Sequence, residues 1–228
     1  MIVVRHFLRT SSLSVAFLII FVLALLGQSF AGHAYNNEEL MQHGQAPVTY
    51  IEFVTSSDFL VDVAENWQSE FLQFFLFIFA TIWLIQRGSP ESKKYGDEGV
   101  GSDEEQHVGT YARADSPRWA KAQGVRLWIY SNSLLLMMGS VFLLSWLAQS
   151  LAGHIVVNEQ NVQHGLPPET WGDYLVSPEF WNRTLQNWQS EFLAVGAMVA
   201  FSIYLRQRGS SESKPVGMPH HTSSVASE

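Results

Sequence analysis

The sequence predicts an all-α, polytopic membrane protein: four transmembrane helices as two parallel two-helix repeats, with short interfacial helices in the outer loops. Three observations predict it. Apolar residues are concentrated in four blocks separated by polar segments. The stretch Asn66-Trp67-Gln68-Ser69-Glu70-Phe71-Leu72 returns letter for letter at residues 187–193, and the 121-residue offset holds without a gap from Gln28–Gly96 onto Gln149–Gly217, with 31 identities in 69 positions. Lys and Arg are also strongly sided: two near the N-terminus, seven from Arg87 to Arg126, three at the C-terminal end, and only Arg183 in the two remaining loops. The positive-inside rule then places both termini and the central linker in the cytoplasm and the two His- and Glu-containing loops outside.

The first repeat covers residues 1–96. Thr10, Ser11 and Ser12 can cap a helix, and from Leu13 to Leu26 every residue except Ser14 is apolar. A basic start, an apolar run and Ser29-Phe30-Ala31 also suit a cleavable signal peptide. The repeat argues for a retained helix, because Ser150-Leu151-Ala152-Gly153-His154 copies Ser29-Phe30-Ala31-Gly32-His33 in mid-chain. The first span is therefore expected at about residues 13–31, close to the ~20 residues a bilayer requires. The segment from His33 to Glu65 holds no Lys or Arg. Within it Thr49-Tyr50-Ile51-Glu52 has the form of a capping box, and Tyr50, Phe53 and Val54 recur at helical spacing, predicting an interfacial helix near residues 49–55. A long helix carrying the second span is expected at about 58–86, ended by Arg87-Gly88.

Residues 97–123, rich in Gly, Ser, Asp, Glu and Lys, are expected to form a flexible cytoplasmic linker. The second repeat, 124–209, repeats the plan with a span near 127–151, an interfacial helix near 170–175 and a long helix with the fourth span near 178–207. Here Ser177-Pro178 supplies an N-cap followed by proline at the first helical position. The tail, 210–228, is polar and expected to be disordered.

The heptad lies where a polar helical segment becomes an apolar one. Counting back ~20 residues from Ile85 puts Asn66 near the outer edge of the second span. Glu70, four residues on from Asn66, shares its helix face, and an ionisable group at that depth normally faces a bundle interior or a wet cavity. Asn187 and Glu191 repeat the arrangement. Gln28 and Gln149 end the preceding spans at similar height, followed by His33 and His154, with Glu38 and Glu159 beyond. Two carboxylates with histidines can bind a divalent ion or relay protons. The same groups can instead satisfy one another and fix helix register, and no metal spacing such as His-Glu-x-x-His is present. Trp67, Trp188, Tyr50 and Trp171 suit interfacial anchoring. His43-Gly44 and His164-Gly165, each followed by a proline, read as turns. The His220-His221 pair is an adjacent pair in the tail. Gly27/Ala31 and Ala148/Ala152 are small-x-x-x-small pairs that allow close helix approach.

The chain has no cysteine, which excludes disulfides and thiol chemistry. Its net charge of −8 argues against nucleic acid. The repeated heptad, Ala31-Gly32-His33, the Asn37-Glu38-x-x-x-Gln42-His43-Gly44 segment and the Gln86-Arg87-Gly88-Ser89-x-Glu91-Ser92-Lys93 ending resemble an uncharacterised bacterial family, a domain of unknown function, of duplicated four-helix membrane proteins. The resemblance implies a fold and a membrane location and no activity. One departure is Asn36-Asn37 against Val157-Asn158, so a site near Glu38 need not be symmetric. The expected role is non-enzymatic, structural or interaction-based, at a bacterial inner membrane, with the bilayer as partner, no cofactor, and homo- or hetero-oligomers open. The alternative is a small channel, transporter or proton- or metal-ion-binding protein using Glu70 and Glu191.

Overall fold

The computed structural model describes His6 and residues 8–223. Among these residues the regular structure is helical throughout, with no strand. Seven α-helices follow in order: α1 (Ser12–Gln42), α2 (Tyr50–Val54), α3 (Ser57–Trp83), α4 (Val125–Ser131), α5 (Ser133–Gln163), α6 (Trp171–Leu175) and α7 (Pro178–Tyr204). Two 3-10 turns, Gly109–Tyr111 and Arg118–Lys121, lie in the linker. The chain divides into two compact units, one holding the described residues up to Val63 with Ala152–Pro168, the other Ala64–Leu151 with Glu169 onward.

Among the described residues two helices, α1 and α5, are long and apolar enough to cross a membrane. The expectation of four such helices is therefore corrected for α3 and α7 taken alone. Their first halves carry Asp58, Asp62, Glu65 and Glu70, or Glu179, Arg183 and Glu191, so the stretch free of charged residues is only Phe71–Trp83 in α3 and Phe192–Tyr204 in α7. Thirteen helical residues reach ~20 Å, short of the ~30 Å hydrocarbon core.

In the first unit α1 runs 31 residues, so His33 and Glu38 stand on a helix rather than in the expected loop. It ends where the His43-Gly44 turn was expected. Gln45 N–H donates to Leu40 C=O (2.8 Å) and Gly44 N–H to Met41 C=O (3.1 Å), with Gly44 at φ +71. These are the paired bonds of a Schellman stop, which needs a left-handed residue at that point. The stop recurs 121 residues on: Leu166 to Asn161 (2.8 Å), Gly165 to Val162 (3.1 Å), Gly165 at φ +70. Helix α2 folds back against α1. Its capping box forms as the spacing requires, with Thr49 N–H on Glu52 Oε2 (2.6 Å) and Glu52 N–H on Thr49 Oγ1 (3.3 Å). The buried Phe53 ring lies over Gly32, where a Cβ would stand 2.9 Å from it. Val61, Ala152 and Val156 are buried together in this unit.

In the second unit the expected third span, near 127–151, is broken at Asn132 into α4 and α5. The Asn132 side chain and its backbone N–H both take Trp128 C=O (2.8 and 3.1 Å), closing one helix as the next begins. Helix α6 has the same capping box through Thr170 and Asp173, and Ser177 Oγ caps α7 by accepting from Phe180 N–H (3.2 Å). Tyr174 and Phe180, with rings 5.4 Å apart, are buried between these helices.

Helices α3 and α7 stop at Trp83 and Tyr204, about three residues before the expected ends. The Gln86 N–H is taken by Ser92 Oγ (2.8 Å) and the Gln207 N–H by Ser213 Oγ (2.9 Å), which turns each chain into a serine-stapled loop. The tail was expected to be disordered. In this structure Lys214 is buried and its ammonium donates to Gly88, His220 (3.0 Å) and Thr222 (3.1 Å) carbonyls, while Ser223 Oγ accepts from Gly88 N–H (3.1 Å). The linker is likewise bonded, with Gly99 N–H on Ile82 C=O (2.8 Å) and a Ser102–Glu105 cap (2.7 Å). These contacts are polar and aperiodic, so a search for apolar periodicity misses them.

Candidate functional site

The sequence-predicted site residues fall into both units. His33, Glu38, Gln28 and Tyr50 belong to the first with His154 and Glu159, whereas Asn66, Trp67, Glu70, Gln149, Trp171, Asn187, Trp188 and Glu191 belong to the second.

In the first unit the polar groups are occupied in holding the chain. His33 Nε2 lies 2.8 Å from Val48 C=O and 2.9 Å from Asn37 Nδ2. Asn37 also accepts from Val48 N–H (2.7 Å) and donates to its C=O (2.9 Å), completing a two-bond clasp on the segment that leads into α2. His154 and Asn158 repeat the i, i+4 pair at 2.9 Å. Tyr50 is not a lone interfacial ring: its hydroxyl bonds buried Ser29 Oγ (2.8 Å) and its ring stacks on Phe30 at 4.9 Å. Glu38, Gln28 and Glu159 are exposed.

In the second unit the two copies of the heptad have unlike surroundings. Gln68 and Ser69 are buried, while Gln189 and Ser190 are exposed. The asymmetry arises because Trp188 of α7 donates through Nε1 to Gln68 Oε1 of α3 (2.8 Å). Trp188, expected as an interfacial anchor, ties α7 to α3 in this structure, whereas Trp67 is exposed. Trp146 of α5 stacks on Phe180 (5.9 Å) and tilts against Trp188 (6.3 Å). One turn on, fully buried Gln149 reaches Thr184 of α7 (3.5 Å). Trp171 Nε1 donates to buried Ser150 Oγ (3.3 Å), 121 residues on from the Tyr50–Ser29 bond. Asn187 turns to the Arg183 carbonyl (3.3 Å), and Arg183 Nε pairs with Glu65 (2.8 Å). Burial pushes the Tyr174 hydroxyl up to about 12, so it stays a neutral phenol.

Glu70 is exposed and Glu191 half-buried, on α3 and α7, close enough for the Glu70 charge to act on Glu191. Three residues further along both helices a cleft of about 420 Å3 opens between them. Its lining pairs residues 121 apart: Gln73 with Ala194, Phe74 with Val195, Phe77 with Met198, and Glu91 with Glu212. Glu91 and Glu212 come from the serine-stapled loops and are hydrogen-bonded to each other. Burial, then the Glu212 charge, then that bond hold the Glu91 carboxyl above its ordinary value. The cleft thus combines the apolar side chains of Phe74, Phe77, Val195 and Met198 with one glutamate pair, Glu91 and Glu212, while Glu70 and Glu191 stand three residues before Gln73 and Ala194 on their helices. Sequence reasoning located Glu70 and Glu191 and missed Glu91 and Glu212, although the latter stand at matching places in the repeated Gln-Arg-Gly-Ser-x-Glu-Ser-Lys ending.

Chemically, two facing carboxylates share a proton or hold a cation, because both cannot ionise at low cost when close. Among the described residues no group of three or more His, Asp or Glu side chains is placed to hold a metal ion. No curated protein and no solved structure matches the chain. One family model does, the domain of unknown function DUF6766, over residues 4–225. With nearly the whole chain matched, the protein belongs to the DUF6766 family.

Proposed function

We propose that this chain is a non-enzymatic, multi-pass protein of a bacterial inner membrane that binds protons or small cations in the cleft between α3 and α7. In this reading α1, α3, α5 and α7 all cross the bilayer, with both termini and the linker cytoplasmic. The 121-residue repeat supports four spans, because α3 and α7 occupy matching places after α1 and α5. So does the linker, whose seven Lys and Arg residues lie between two loops nearly free of them. The short apolar stretches of α3 and α7 are compatible with spanning when their polar halves line an interior rather than lipid.

The single observation that carries the function is the cleft between α3 and α7 that holds the Glu91–Glu212 pair, every lining residue matched by its counterpart 121 positions on. A carboxylate pair beside apolar side chains suits proton or cation transfer, in which the pair takes the ion and the apolar side chains limit leak.

Reconstitution in liposomes tests it. Wild-type protein should dissipate an imposed proton or monovalent-cation gradient. Glu91→Gln with Glu212→Gln, and Glu70→Gln with Glu191→Gln, should each reduce the rate at least tenfold while the protein still inserts and remains monodisperse. If folded wild-type protein carries no current and its thermal stability ignores pH and cations, the ion-binding reading fails.

A second reading, a scaffold that engages a partner in the envelope, is favoured by the clasps of His33, Asn37, Gln68 and Gln149. There the buried polar groups serve helix register. Under it, the four Glu→Gln changes leave every function intact.

A further inference from the structure

One buried charge stands outside the lining of the glutamate cleft. Lys214 is 1 % exposed, and its ammonium lies among four backbone carbonyls: Gly88, Pro219 (3.4 Å), His220 (3.0 Å) and Thr222 (3.1 Å). An ammonium carries three donors, so this cage can satisfy all of them. The charge that acts on Lys214 is not a carboxylate but a second cation, Arg206, itself held by the Met218 carbonyl (3.0 Å). Burying a charge without a counter-ion is costly, and only a full set of charge-assisted bonds offsets that cost. A lysine in a polar loop ordinarily reaches water; this one is spent on a backbone junction.

The junction joins the two loops that carry Glu91 and Glu212. Each loop is closed on itself in the same way. Besides the Ser92 and Ser213 staples, Glu91 N–H donates to Ser89 Oγ (3.3 Å) and Glu212 N–H to Ser210 Oγ (3.2 Å). Ser89 and Ser210 in turn donate their N–H groups to the Gln86 and Gln207 carbonyls (3.1 and 3.2 Å). Each glutamate is thus fixed to its own loop, and the distance between the carboxyls depends on what holds one loop against the other. Lys214, two residues past Glu212, reaches Gly88, three residues before Glu91. The bonds from Ser89 Oγ to Ser202 Oγ (3.5 Å) and from Gly88 N–H to Ser223 Oγ (3.1 Å) tie the Glu91 loop to α7 and to the tail, not to the Glu212 loop. Lys93, the counterpart of Lys214, donates to Gly99 instead, so the clamp is built once.

We infer that Lys214 is the positioning residue of the Glu91–Glu212 pair: its ammonium, seated in the carbonyl cage, clamps the two loops so that the carboxyls meet, and without it they part. Two carboxyls share a proton only while they touch. Parting removes the shared bond and the Glu212 charge and admits water to Glu91, the three causes that hold its carboxyl above the ordinary value. Glu212 is the charged group acting on Glu91; Arg206 and the His220 ring, 3.4 Å apart, are those beside the cage. The inference rests on reading this pair as a proton site, and neither on transport nor on the number of spans.

The experiment is infrared titration of purified full-length protein, with the protonated Glu91 carboxyl identified by subtracting the spectrum of Glu91→Gln, alongside hydrogen exchange. In the wild type Glu91 should stay protonated above the range of an ordinary glutamate. Lys214→Met keeps the apolar stem and loses the donors. It should strip protection from residues 218–223, leave α3 and α7 protected, and return the Glu91 titration to the ordinary range. Gly88→Ala, which crowds the cage from its other side, should do the same, and the two changes together should lose no more than either alone. Tail protection retained in Lys214→Met, or Glu91 still titrating high after the tail is released, would overturn the inference and spare the proton site. An ordinary Glu91 titration in the wild type would defeat the proton site and the inference with it.

Discussion

Asn37 shows what the polar residues of this chain do at the smallest scale. Its side chain donates to and accepts from the same residue, Val48, and supports His33. Asn37→Ala leaves a part-buried N–H and C=O without that partner and should destabilise the protein by ~1–3 kcal/mol. Thermal unfolding in detergent measures it, and a shift within error would mean the clasp is not formed. Glu91 gives a second test, through pH. Its carboxyl is raised in the folded protein, so the folded state holds the proton more tightly than the unfolded chain. Stability attributable to this group is complete below the unfolded value, ~4.3, and is lost as pH rises from there through the raised folded value. Glu91→Gln should therefore leave stability unchanged near pH 4 and raise it near pH 7. A variant that tracks the wild type across that range contradicts the raised Glu91 carboxyl, to which burial contributes most and Glu212 next. Glu70 and Glu191 were legible in the sequence because an ionisable group at the edge of an apolar run is conspicuous. Glu91 was not, because it sits among other polar residues, where only the fold reveals its partner 121 positions away.

At the scale of elements, the signals read most accurately were local. The capping boxes at Thr49 and Thr170, the Ser177-Pro178 start of α7 and both His-Gly turns formed as their chemistry requires, since each depends on residues three to five positions apart. Thr170→Ala should cost ~1 kcal/mol by removing the α6 cap. A denaturant midpoint in detergent would detect it against the wild type. Helix ends were read less well. The extension of α1 to Gln42 and the early stops at Trp83 and Tyr204 are set by Gly44 and by the Ser92 and Ser213 staples, which outweigh hydropathy. The order of the tail rests on Gly88. At φ +93, a Cβ there would stand 2.3 Å from the His220 carbonyl oxygen. Gly88→Ala should expel residues 218–223, lose the Lys214 bonds and add ~1–2 kcal/mol of backbone strain. Hydrogen exchange should then show loss of protection in the tail with α1 unchanged. Retained protection would mean the loop shifts to admit the methyl group.

For the whole molecule, repeat arithmetic disclosed the sequence of helices but could not disclose how the copies differ. Identical heptads place Gln68 in a buried bond to Trp188 of α7 and leave Gln189 exposed. The number of spans is the claim on which the cleft depends, since α3 and α7 frame it. Absence of native cysteine permits a direct measurement: single cysteines at Gln45, Ser102, Pro168 and Ser211, probed in intact cells with a membrane-impermeant thiol reagent. Four spans predict labelling at 45 and 168 and protection at 102 and 211. If only α1 and α5 cross, residue 102 is labelled and 168 is protected, and that pattern would contradict the account.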